Sequence, residues 1–430
     1  MFPSHRFAAA LAAFALLVAM LAAYAGDRHS GTGRAVPRSS APDRVAEGHF
    51  GSSGLIPDTL SAHLVQQMRD RVSSGAWPRT DFSRHVVPLN DFLPGGPPRD
   101  GIPPLNHPRV VSPEAADRYL RGDEPVLAVT VAGRARAYPI RIMLWHEVAN
   151  DVLASRPILV TYCPLCNSGV AFDRRVDGRA LRFGTSGLLR LSDLVMWDRH
   201  TESWWQQFDG RALVGRLAGR RLRMLPSATL SWADFKRRYA HGDVLAQATG
   251  YDRPYGLNPY LRYDTGDKPF GFNGTRVDRR LPQMARVLGV RAGDKTLAVP
   301  YSMLRRRPVI DTRLGRRPVA VFYERAVLSP LDATRIDESR EVGTAVAYGR
   351  RIGRQTLSFE DVGGHPVDRQ THSVWDISGR AVSGRLRGRS LRPLLQNSQF
   401  WFALSSFAPR VRIVGESRCF GAACDRRYAE

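Results

Sequence analysis

Two segments of related sequence lie 161 positions apart in this chain. Val126 to Pro139 reads VLAVTVAGRARAYP, Val287 to Pro300 reads VLGVRAGDKTLAVP, and Tyr162 and Tyr323 keep the same offset. A solenoid repeat spans roughly 20 to 50 residues, so this longer period indicates a domain-sized unit that is present twice. The pattern predicts two related β units packed together.

The two units differ at one chemically important point. The first contains the Cys163-Pro164-Leu165-Cys166 motif, whereas Glu324 stands at the position that corresponds to Cys163. The similarity then resumes, because Asp198 to Leu222 matches Asp368 to Leu391. The sequence therefore predicts that the chemistry belongs to the first unit and that the second retains the scaffold.

Length and composition agree with this organisation. A chain of 430 residues with 43% hydrophobic residues can bury a large core and form two or three domains. The predicted parts are a signal peptide or anchor (1–25), a disordered tether (26–54), an N-terminal helical and loop segment (55–122), the first repeat with the Cys motif (123–250), a linker (251–284), the second repeat (285–409) and a C-terminal tail (410–430).

The N-terminus predicts export. His5 and Arg6 precede an uncharged apolar run at residues 7–25, which ends in Ala23-Tyr24-Ala25. This order is typical of a secretory signal with an A-x-A cleavage site. The run is also long enough to span a bilayer, so an uncleaved anchor is the alternative. Either reading places the protein in the periplasm or outside the cell.

The charge is strongly positive and is carried almost entirely by arginine. The formal net charge is +23 at pH 7, and the only lysines are Lys236, Lys268 and Lys295. Because the arginines are dispersed and no nucleic-acid motif is present, we do not expect specific nucleic-acid recognition. This charge predicts that the protein adsorbs to an anionic membrane or cell-wall surface.

The local pattern predicts a β-rich α+β fold with a few short helices. Alternating strand-like runs flank tight turns at Ala132-Gly133, Asp177-Gly178 and Asp209-Gly210, which is typical of hairpins. Second-copy strands are expected at Val319 to Tyr323, Val346 to Tyr348 and Thr356 to Phe359. Helices are predicted from Leu60 to Val72, from Ser112 to Gly122, from Ile140 to Val152 and from Ser231 to Tyr239.

Three kinds of chemistry fit Cys163 and Cys166. A C-x-x-C pair can cycle between dithiol and disulfide, with one thiolate attacking and the other resolving. It can instead supply two ligands to copper or zinc, completed by a histidine. It can also be an oxidised structural staple in an exported protein, although a four-residue loop gains only about 2 kcal/mol from such a bond.

Two familiar assignments do not fit the motif. A c-type haem site needs histidine directly after the second cysteine, where this chain has Asn167. A thioredoxin fold would place the pair at the start of a long helix, whereas a strand-like run follows here. His146 lies upstream on the predicted helix and is absent from the second copy, as the thiols are, so it is the predicted proton partner or metal ligand.

Other candidate residues surround this motif in sequence. An Asp198–Arg199 pair beneath Trp205 is expected as a structural corner because both copies retain it. The aromatic residues of the linker are expected to pack between the copies. The candidate pocket residues are Tyr162, Ser186, Gly187, Ser192, Asp193 and Glu202, the corner residues are Asp198, Arg199, Ser203 and Trp205, and the predicted tail disulfide joins Cys419 and Cys424.

These motifs resemble a large family of exported bacterial and archaeal proteins that is known only as a domain of unknown function. The similarity is carried by WHEVAND, VTYCPLCNSGVAFDR, SGLL and SDLVMWDRHTESWW and covers about Gly101 to Pro409. Some members carry selenocysteine within the Cys block, which implies a redox-active position at Cys163 and Cys166. The chain departs from the family at Asn106-His107-Pro108, where Asp-Asn-Pro is usual, and in its Cys-containing tail.

The sequence thus predicts an exported thiol redox protein that acts on an unidentified redox partner or thiol substrate. Cys163 is the expected attacking thiol, Cys166 the resolving thiol and His146 the proton partner. The first alternative is a copper or zinc binding or delivery protein that uses the same three residues. The second is a non-enzymatic envelope scaffold with a structural disulfide.

Overall fold

A computed structural model describes residues 76–274 and 276–415. The predicted signal, tether and helix at Leu60 to Val72, together with Cys419 and Cys424, lie outside these residues. Among the helices of the described part, none is long and apolar enough to cross a membrane.

Five short α-helices occur in the described residues. They are α1 (Pro113–Ala116), α2 (Ile140–His146), α3 (Trp232–Arg238), α4 (Tyr301–Arg306) and α5 (Trp401–Phe407). Single 3₁₀ turns form at Leu89–Asp91, Tyr263–Thr265 and Ile336–Glu338.

Strands form most of the regular structure, which confirms the β-rich α+β class. Those of the first part are β1 (Phe92–Pro94), β2 (Leu105–Asn106), β3 (Val110–Val111), β4 (Pro125–Val131), β5 (Arg134–Pro139), β6 (Val148–Leu153), β7 (Arg156–Cys163), β8 (Ser168–Asp173), β9 (Arg175–Val176), β10 (Arg179–Ala180), β11 (Phe183–Arg190), β12 (Asp193–Asp198), β13 (Trp204–Gln206), β14 (Ala212–Val214), β15 (Arg223–Leu225), β16 (Ser227–Ser231) and β17 (Asp243–Leu245). Those of the second part are β18 (Arg286–Ala292), β19 (Lys295–Pro300), β20 (Val309–Leu314), β21 (Arg317–Glu324), β22 (Thr344–Gly349), β23 (Arg351–Ile352), β24 (Gln355–Thr356), β25 (Phe359–Val362), β26 (His365–Asp368), β27 (Arg392–Pro393), β28 (Leu395–Phe400) and β29 (Arg412–Ile413).

The strands form five larger sheets and three small hairpins in the described chain. In the first part the sheet orders are β1-β11-β12-β13-β14, β15-β8-β7-β6-β2 and β16-β4-β5-β17-β3. In the second part they are β28-β18-β19-β29 and β20-β21-β22-β27. Most pairings are antiparallel, and the parallel exceptions are β2 with β6, β17 with β5 and β29 with β19.

The two parts repeat one order of elements and one pattern of pairing. The hairpin β4-β5 pairs Val126 with Pro139, and the hairpin β18-β19 pairs Val287 with Pro300. A short helix and an antiparallel set follow each hairpin, namely β6-β7-β8 after α2 and β20-β21-β22 after α4. These equivalences fit a duplicated unit, and the duplication itself with its domain boundaries stays a prediction.

Local predictions hold where the turn chemistry is explicit. Ala132 and Gly133 both have positive φ, +46° and +79°, as a two-residue hairpin turn requires. Ser231 caps α3, because its side chain accepts a hydrogen bond from the Asp234 N–H. Ser112 likewise caps α1, and this confirms both predicted helix starts.

Three predicted boundaries are wrong. The helix from Ile140 ends at His146, because Glu147 adopts the left-handed conformation (φ +55°), and residues 148–152 belong to strand β6. Helix α1 ends at Ala116 rather than Gly122, and the chain turns there to place the Tyr119 hydroxyl on the Leu245 carbonyl oxygen. The expected strand at Thr356 to Phe359 is interrupted between β24 and β25.

The hydrophobic core joins the two parts. The largest cluster contains Cys163 and Cys166 from the first part together with Phe400, Phe402 and Leu404 from the second. Beside the Cys motif, the Phe400 N–H donates to the Cys166 carbonyl oxygen at 2.9 Å. The second part therefore forms one wall of the region that holds the thiols.

Candidate functional site

The Cys motif lies in the tight turn between β7 and β8. Cys163 is the last residue of β7, Ser168 is the first of β8, and these two residues pair across the turn. Asn167 has φ +51°, its N–H donates to the Pro164 carbonyl oxygen at 3.0 Å, and its side-chain oxygen accepts from the Tyr162 hydroxyl at 2.8 Å. The turn therefore holds both cysteines at one end of a buried sheet.

The two cysteines are free thiols that lie beside a carboxyl group. Cys163 is 2% exposed and Cys166 is completely buried. Their sulfur atoms and a carboxyl oxygen of Asp193 all lie within 4.8 Å of one another. The Cys166 Sγ donates to Asp193 Oδ1 at 3.1 Å and lies 3.4 Å from the Ser192 carbonyl oxygen. The structure thus brings together three of the predicted site residues, and Asp193 is in direct contact with a thiol.

Asp193 is held by polar groups that follow strand β12. Its Oδ2 accepts from Gln206 Nε2 at 2.6 Å and from the Phe208 N–H at 3.0 Å, which leaves Oδ1 for Cys166. Burial raises the pKa of Asp193 to about 6, and these donors oppose that rise. The group therefore changes its protonation state close to neutral pH.

Burial also governs the state of the thiols. Removal from water raises the pKa of Cys163, and the nearby carboxyl groups of Asp193 and Glu147 add to the rise. The same desolvation raises the pKa of Cys166 well above its usual value. Both cysteines are therefore protonated at neutral pH, so a reaction at sulfur needs a group that accepts a proton.

Glu147 is a second buried carboxyl group next to the Cys strand. Its carbonyl oxygen accepts from the Tyr162 N–H at 2.9 Å, and its Oε1 accepts from the Tyr260 hydroxyl at 3.2 Å. Burial raises the pKa of Glu147 to about 8. The left-handed backbone at a residue other than glycine is sterically costly, and such positions are frequent at functional sites.

Replacing Glu147 with Gln should flatten the pH dependence of stability. Folded Glu147 keeps its proton up to about pH 8, whereas the unfolded side chain loses it near pH 4.3. Stability must therefore fall as pH rises through this window, by up to about 1.4 kcal/mol per pH unit. Urea unfolding of wild type, Glu147→Gln and the exposed control Glu338→Gln at pH 5 and pH 8 measures the effect. Parallel pH curves for all three proteins would contradict it.

His146 lies outside the group of thiols and carboxyl that the structure brings together. Its Nδ1 is 2.7 Å from the Pro103 carbonyl oxygen and its Nε2 is 2.5 Å from the Tyr255 hydroxyl, so both ring nitrogens are used. Burial lowers its pKa to about 4, so His146 is neutral at physiological pH. Its observed contacts connect helix α2 with the linker.

The remaining pocket candidates separate into two groups. Ser192 contacts the Cys site, because its carbonyl oxygen faces the Cys166 sulfur. Its hydroxyl donates to the Phe270 carbonyl oxygen. Ser186 donates to the Val195 carbonyl oxygen inside a β-bulge of the β11-β12 pair. Gly187 has φ +78°, and a Cβ there would lie 2.3 Å from the Pro97 carbonyl oxygen. Ser186 and Gly187 therefore shape the sheet and its contact with the N-terminal segment.

Glu202 also contacts the N-terminal segment. Its carboxylate accepts from the Arg79 N–H at 2.9 Å and forms an ion pair with Arg99 at 3.1 Å. These partners fix residues 79–99 against the first part.

The predicted structural corner is present, with one correction. Asp198 accepts from the Trp205 Nε1 at 3.0 Å and from the Thr201 hydroxyl at 2.7 Å, and that hydroxyl is 2.7 Å from the Ser203 hydroxyl. Arg199 is not the partner of Asp198, because it pairs with Asp100 at 2.6 Å and its guanidinium lies over the Trp197 ring.

The second part contains the same corner. Asp368 accepts from the Trp375 Nε1 at 3.0 Å and from the Thr371 hydroxyl, which is 2.8 Å from the Ser373 hydroxyl. Since this part has no thiols in the matching turn, the network serves the scaffold.

Linker residues that were expected only to pack between the copies cover the Cys turn. The Tyr263 hydroxyl donates to the Leu165 carbonyl oxygen at 3.0 Å and accepts from the Phe270 N–H at 3.2 Å. Tyr260 reaches Glu147 from the same segment. The sequence signal for Glu147 is its place beside His146, which the second part lacks, whereas Gln206 lies in the shared Asp198 to Leu222 segment and had no such signal.

The fold and site define a strand-rich α+β protein with a buried dithiol next to a carboxyl group. A family model described as a protein of unknown function (DUF3179) matches residues 99–411, and the chain belongs to this family. Neither the curated proteins nor the solved structures contain a match to the chain.

Proposed function

We propose that this protein is a thiol–disulfide oxidoreductase whose reacting groups are Cys163 and Cys166. The observation that supports this proposal is the 3.1 Å contact from Cys166 Sγ to Asp193 Oδ1 within a compact pair of free thiols. A disulfide can form between two close cysteines, and a buried carboxylate can accept the proton that must leave the resolving thiol.

The proposed reaction has two steps. Cys163 loses its proton as its sulfur attacks a substrate disulfide, so that one substrate sulfur becomes bonded to Cys163 and the other leaves as a thiol that takes that proton. Cys166 then transfers its proton to Asp193 and attacks the Cys163 sulfur, which closes the Cys163–Cys166 disulfide and releases the second substrate sulfur as a thiol that takes the proton from Asp193. The substrate gains two electrons, and an external thiol reductant must restore the protein.

The observed contacts support Asp193, and not His146, as the proton partner. Asp193 touches Cys166, whereas His146 bonds to Pro103 and Tyr255. The linker must also move before a disulfide can reach Cys163, because both thiols are buried beneath it.

The Cys166→Ser variant tests this proposal. Without the resolving thiol, we expect the full-length protein to accumulate mixed disulfides through Cys163 when it is treated with a small disulfide such as oxidised glutathione. The matched Cys163→Ser variant should accumulate far less, because the Cys166 sulfur is completely buried against Asp193 and the Ser192 carbonyl oxygen. Mass spectrometry of the intact proteins measures the adducts. Equal adducts on both variants, or none on either, would refute the assigned order of attack.

A second candidate function is the binding or delivery of copper or zinc. It is favoured by one observation, the approach of two thiols and one carboxyl oxygen to within 4.8 Å. Thiolates and a carboxylate are suitable zinc ligands, and two thiolates also suit copper(I). A bound cation would lower the pKa values of the thiols and so offset the effect of their burial. In this candidate Asp193 takes the ligand position that the sequence assigned to His146.

Export remains part of the proposal and is supported by the sequence of residues 7–25. We propose a periplasmic or extracellular protein, either released by cleavage or anchored by that segment. The positive charge supports contact with an anionic membrane or cell-wall surface.

A further inference from the structure

An open cleft and an inner cavity meet where the two parts of the protein touch. Their walls share Arg286, Tyr301 and Val342. The outer cleft, of about 270 Å³, opens to solvent beside Arg305 and Arg340. Small-molecule sites in proteins occupy about 300 to 1,000 Å³, so this volume suits a small ligand.

The inner cavity leads towards the Cys turn. It has a volume of about 30 Å³, room for about one or two water molecules, and reaches Tyr162 and Asn167, the residues directly before and after the Cys motif. Neither cysteine belongs to its wall among the described lining residues. The Tyr301 hydroxyl is 2.5 Å from the Ser398 hydroxyl, and both residues line this inner space. The cleft is therefore a separate polar site that lies next to the turn.

Arg305 gives the outer cleft a group that can bind an anion. Three arginines, Arg286, Arg305 and Arg340, line the cleft together with Asp264 and Glu341. Asp264 pairs with Arg286 and Arg340, and Asp332 also pairs with Arg340 at 2.7 Å, so Arg305 is the lining arginine without a carboxylate partner in the described residues. Arg305 is exposed at the mouth beside Arg340, so its guanidinium group can bind an incoming carboxylate.

Asp264 offers a hydrogen-bond acceptor to a ligand in the cleft. Its side chain is fully buried, and its Oδ2 interacts with Arg286, with Arg340 at 3.0 Å and with the Ser329 hydroxyl at 2.6 Å. Its Oδ1 is buried without a hydrogen-bond partner in the described residues. A buried acceptor left unpaired costs about 1 to 3 kcal/mol, so a ligand that donates a hydrogen bond there gains binding energy.

We propose that this cleft binds a small carboxylic acid that also carries a hydroxyl group. The carboxylate would pair with Arg305 and Arg340, and the hydroxyl would donate to Asp264 Oδ1. A hydroxyl suits this position better than an ammonium group, because the neighbouring guanidinium groups repel a second cation. The inference does not require redox-active thiols, since it rests only on the walls of the cleft.

Calorimetric titration of the full-length protein with malate, succinate and inorganic phosphate tests this proposal. We expect saturable binding of malate, with succinate at least about tenfold weaker because it lacks the hydroxyl. Arg305→Gln should weaken malate binding by about tenfold, whereas Arg316→Gln, which removes an exposed arginine from a distant turn, should leave it unchanged.

Each alternative result overturns part or all of the proposal. If malate does not bind, or if Arg305→Gln and Arg316→Gln bind it equally, there is no carboxylate site in the cleft. If succinate binds as tightly as malate, the role of Asp264 is wrong, and if phosphate binds as tightly as both, the site attracts anions without selection. The Cys163→Ser variant should bind malate like wild type, so failure of the redox proposal would leave this result intact.

Discussion

Replacing Asp193 with Asn is expected to slow closure of the Cys163–Cys166 disulfide about 100-fold. The Cys166 thiol donates to Asp193 Oδ1, and an amide oxygen at that position cannot accept the proton as a carboxylate does. A positioned general base typically contributes a factor of about 10² to 10⁴, and we expect the lower end because water can replace part of its role. The first attack by Cys163 should change far less.

An aromatic disulfide that releases a coloured thiol separates the two steps. Attack by Cys163 releases the first coloured thiol and closure by Cys166 releases the second, so stopped-flow absorbance should show two phases. Asp193→Asn should slow only the second phase. Asp177→Asn removes an exposed carboxylate that pairs with Arg220 and not with a thiol, and it should behave like wild type. An unchanged second phase in Asp193→Asn would eliminate Asp193 as the proton acceptor.

The same variants distinguish the metal candidate. If the purified protein carries stoichiometric zinc or copper, and Cys163→Ser, Cys166→Ser and Asp193→Asn all lose it, the three residues are ligands. Asp193 would then serve as a metal ligand and not as the proton acceptor, so disulfide closure in metal-free Asp193→Asn would not be slowed. Metal analysis of wild type beside these variants is therefore the companion measurement.

The predictable part of the fold is the part encoded over short distances. The Ala132-Gly133 turn forms because its two residues adopt positive φ and link alternating strands, and the Ser231 cap forms because its hydroxyl reaches the third N–H of the helix. The end of α2 was not predictable in this way. The apolar positions continue through Val148 at helical spacing, but strand pairing of β6 with β7 prevails over that local pattern.

The contacts of the candidate site were also not predictable from local sequence. The sequence identified Cys163 and Cys166 by their motif and included Asp193 among the candidate pocket residues, but it joined the thiols to the histidine nearest in sequence. Asp193 lies 27 positions from Cys166 and reaches it because β12 belongs to another sheet beside the turn. Spacing along the chain carries no information about such contacts between sheets. The thiol-covering role of Tyr263 escaped prediction for the same reason.

Loss of the Asp198 side chain is expected to destabilise the protein by about 4 kcal/mol. Asp198 is fully buried and accepts hydrogen bonds from Trp205, from both the N–H and the hydroxyl of Thr201, and from the His200 N–H. Asp198→Ala would leave the indole N–H of a completely buried tryptophan unpaired, and each such orphan costs about 1 to 3 kcal/mol. Most proteins are stable by only about 5 to 15 kcal/mol, so the variant should lie close to its unfolding threshold.

The second part provides a matched comparison for this cost. Asp368 makes equivalent bonds to Trp375 and Thr371, so Asp368→Ala should lower stability by an amount within about 1 kcal/mol of that for Asp198→Ala. Asp294→Ala, in an exposed hairpin turn, should change stability by less than about 0.5 kcal/mol. Denaturant unfolding followed by tryptophan fluorescence measures all three variants. A small cost at both buried aspartates would show that the corner contributes little to stability, whereas a difference above about 2 kcal/mol would show that the two parts rely on it unequally.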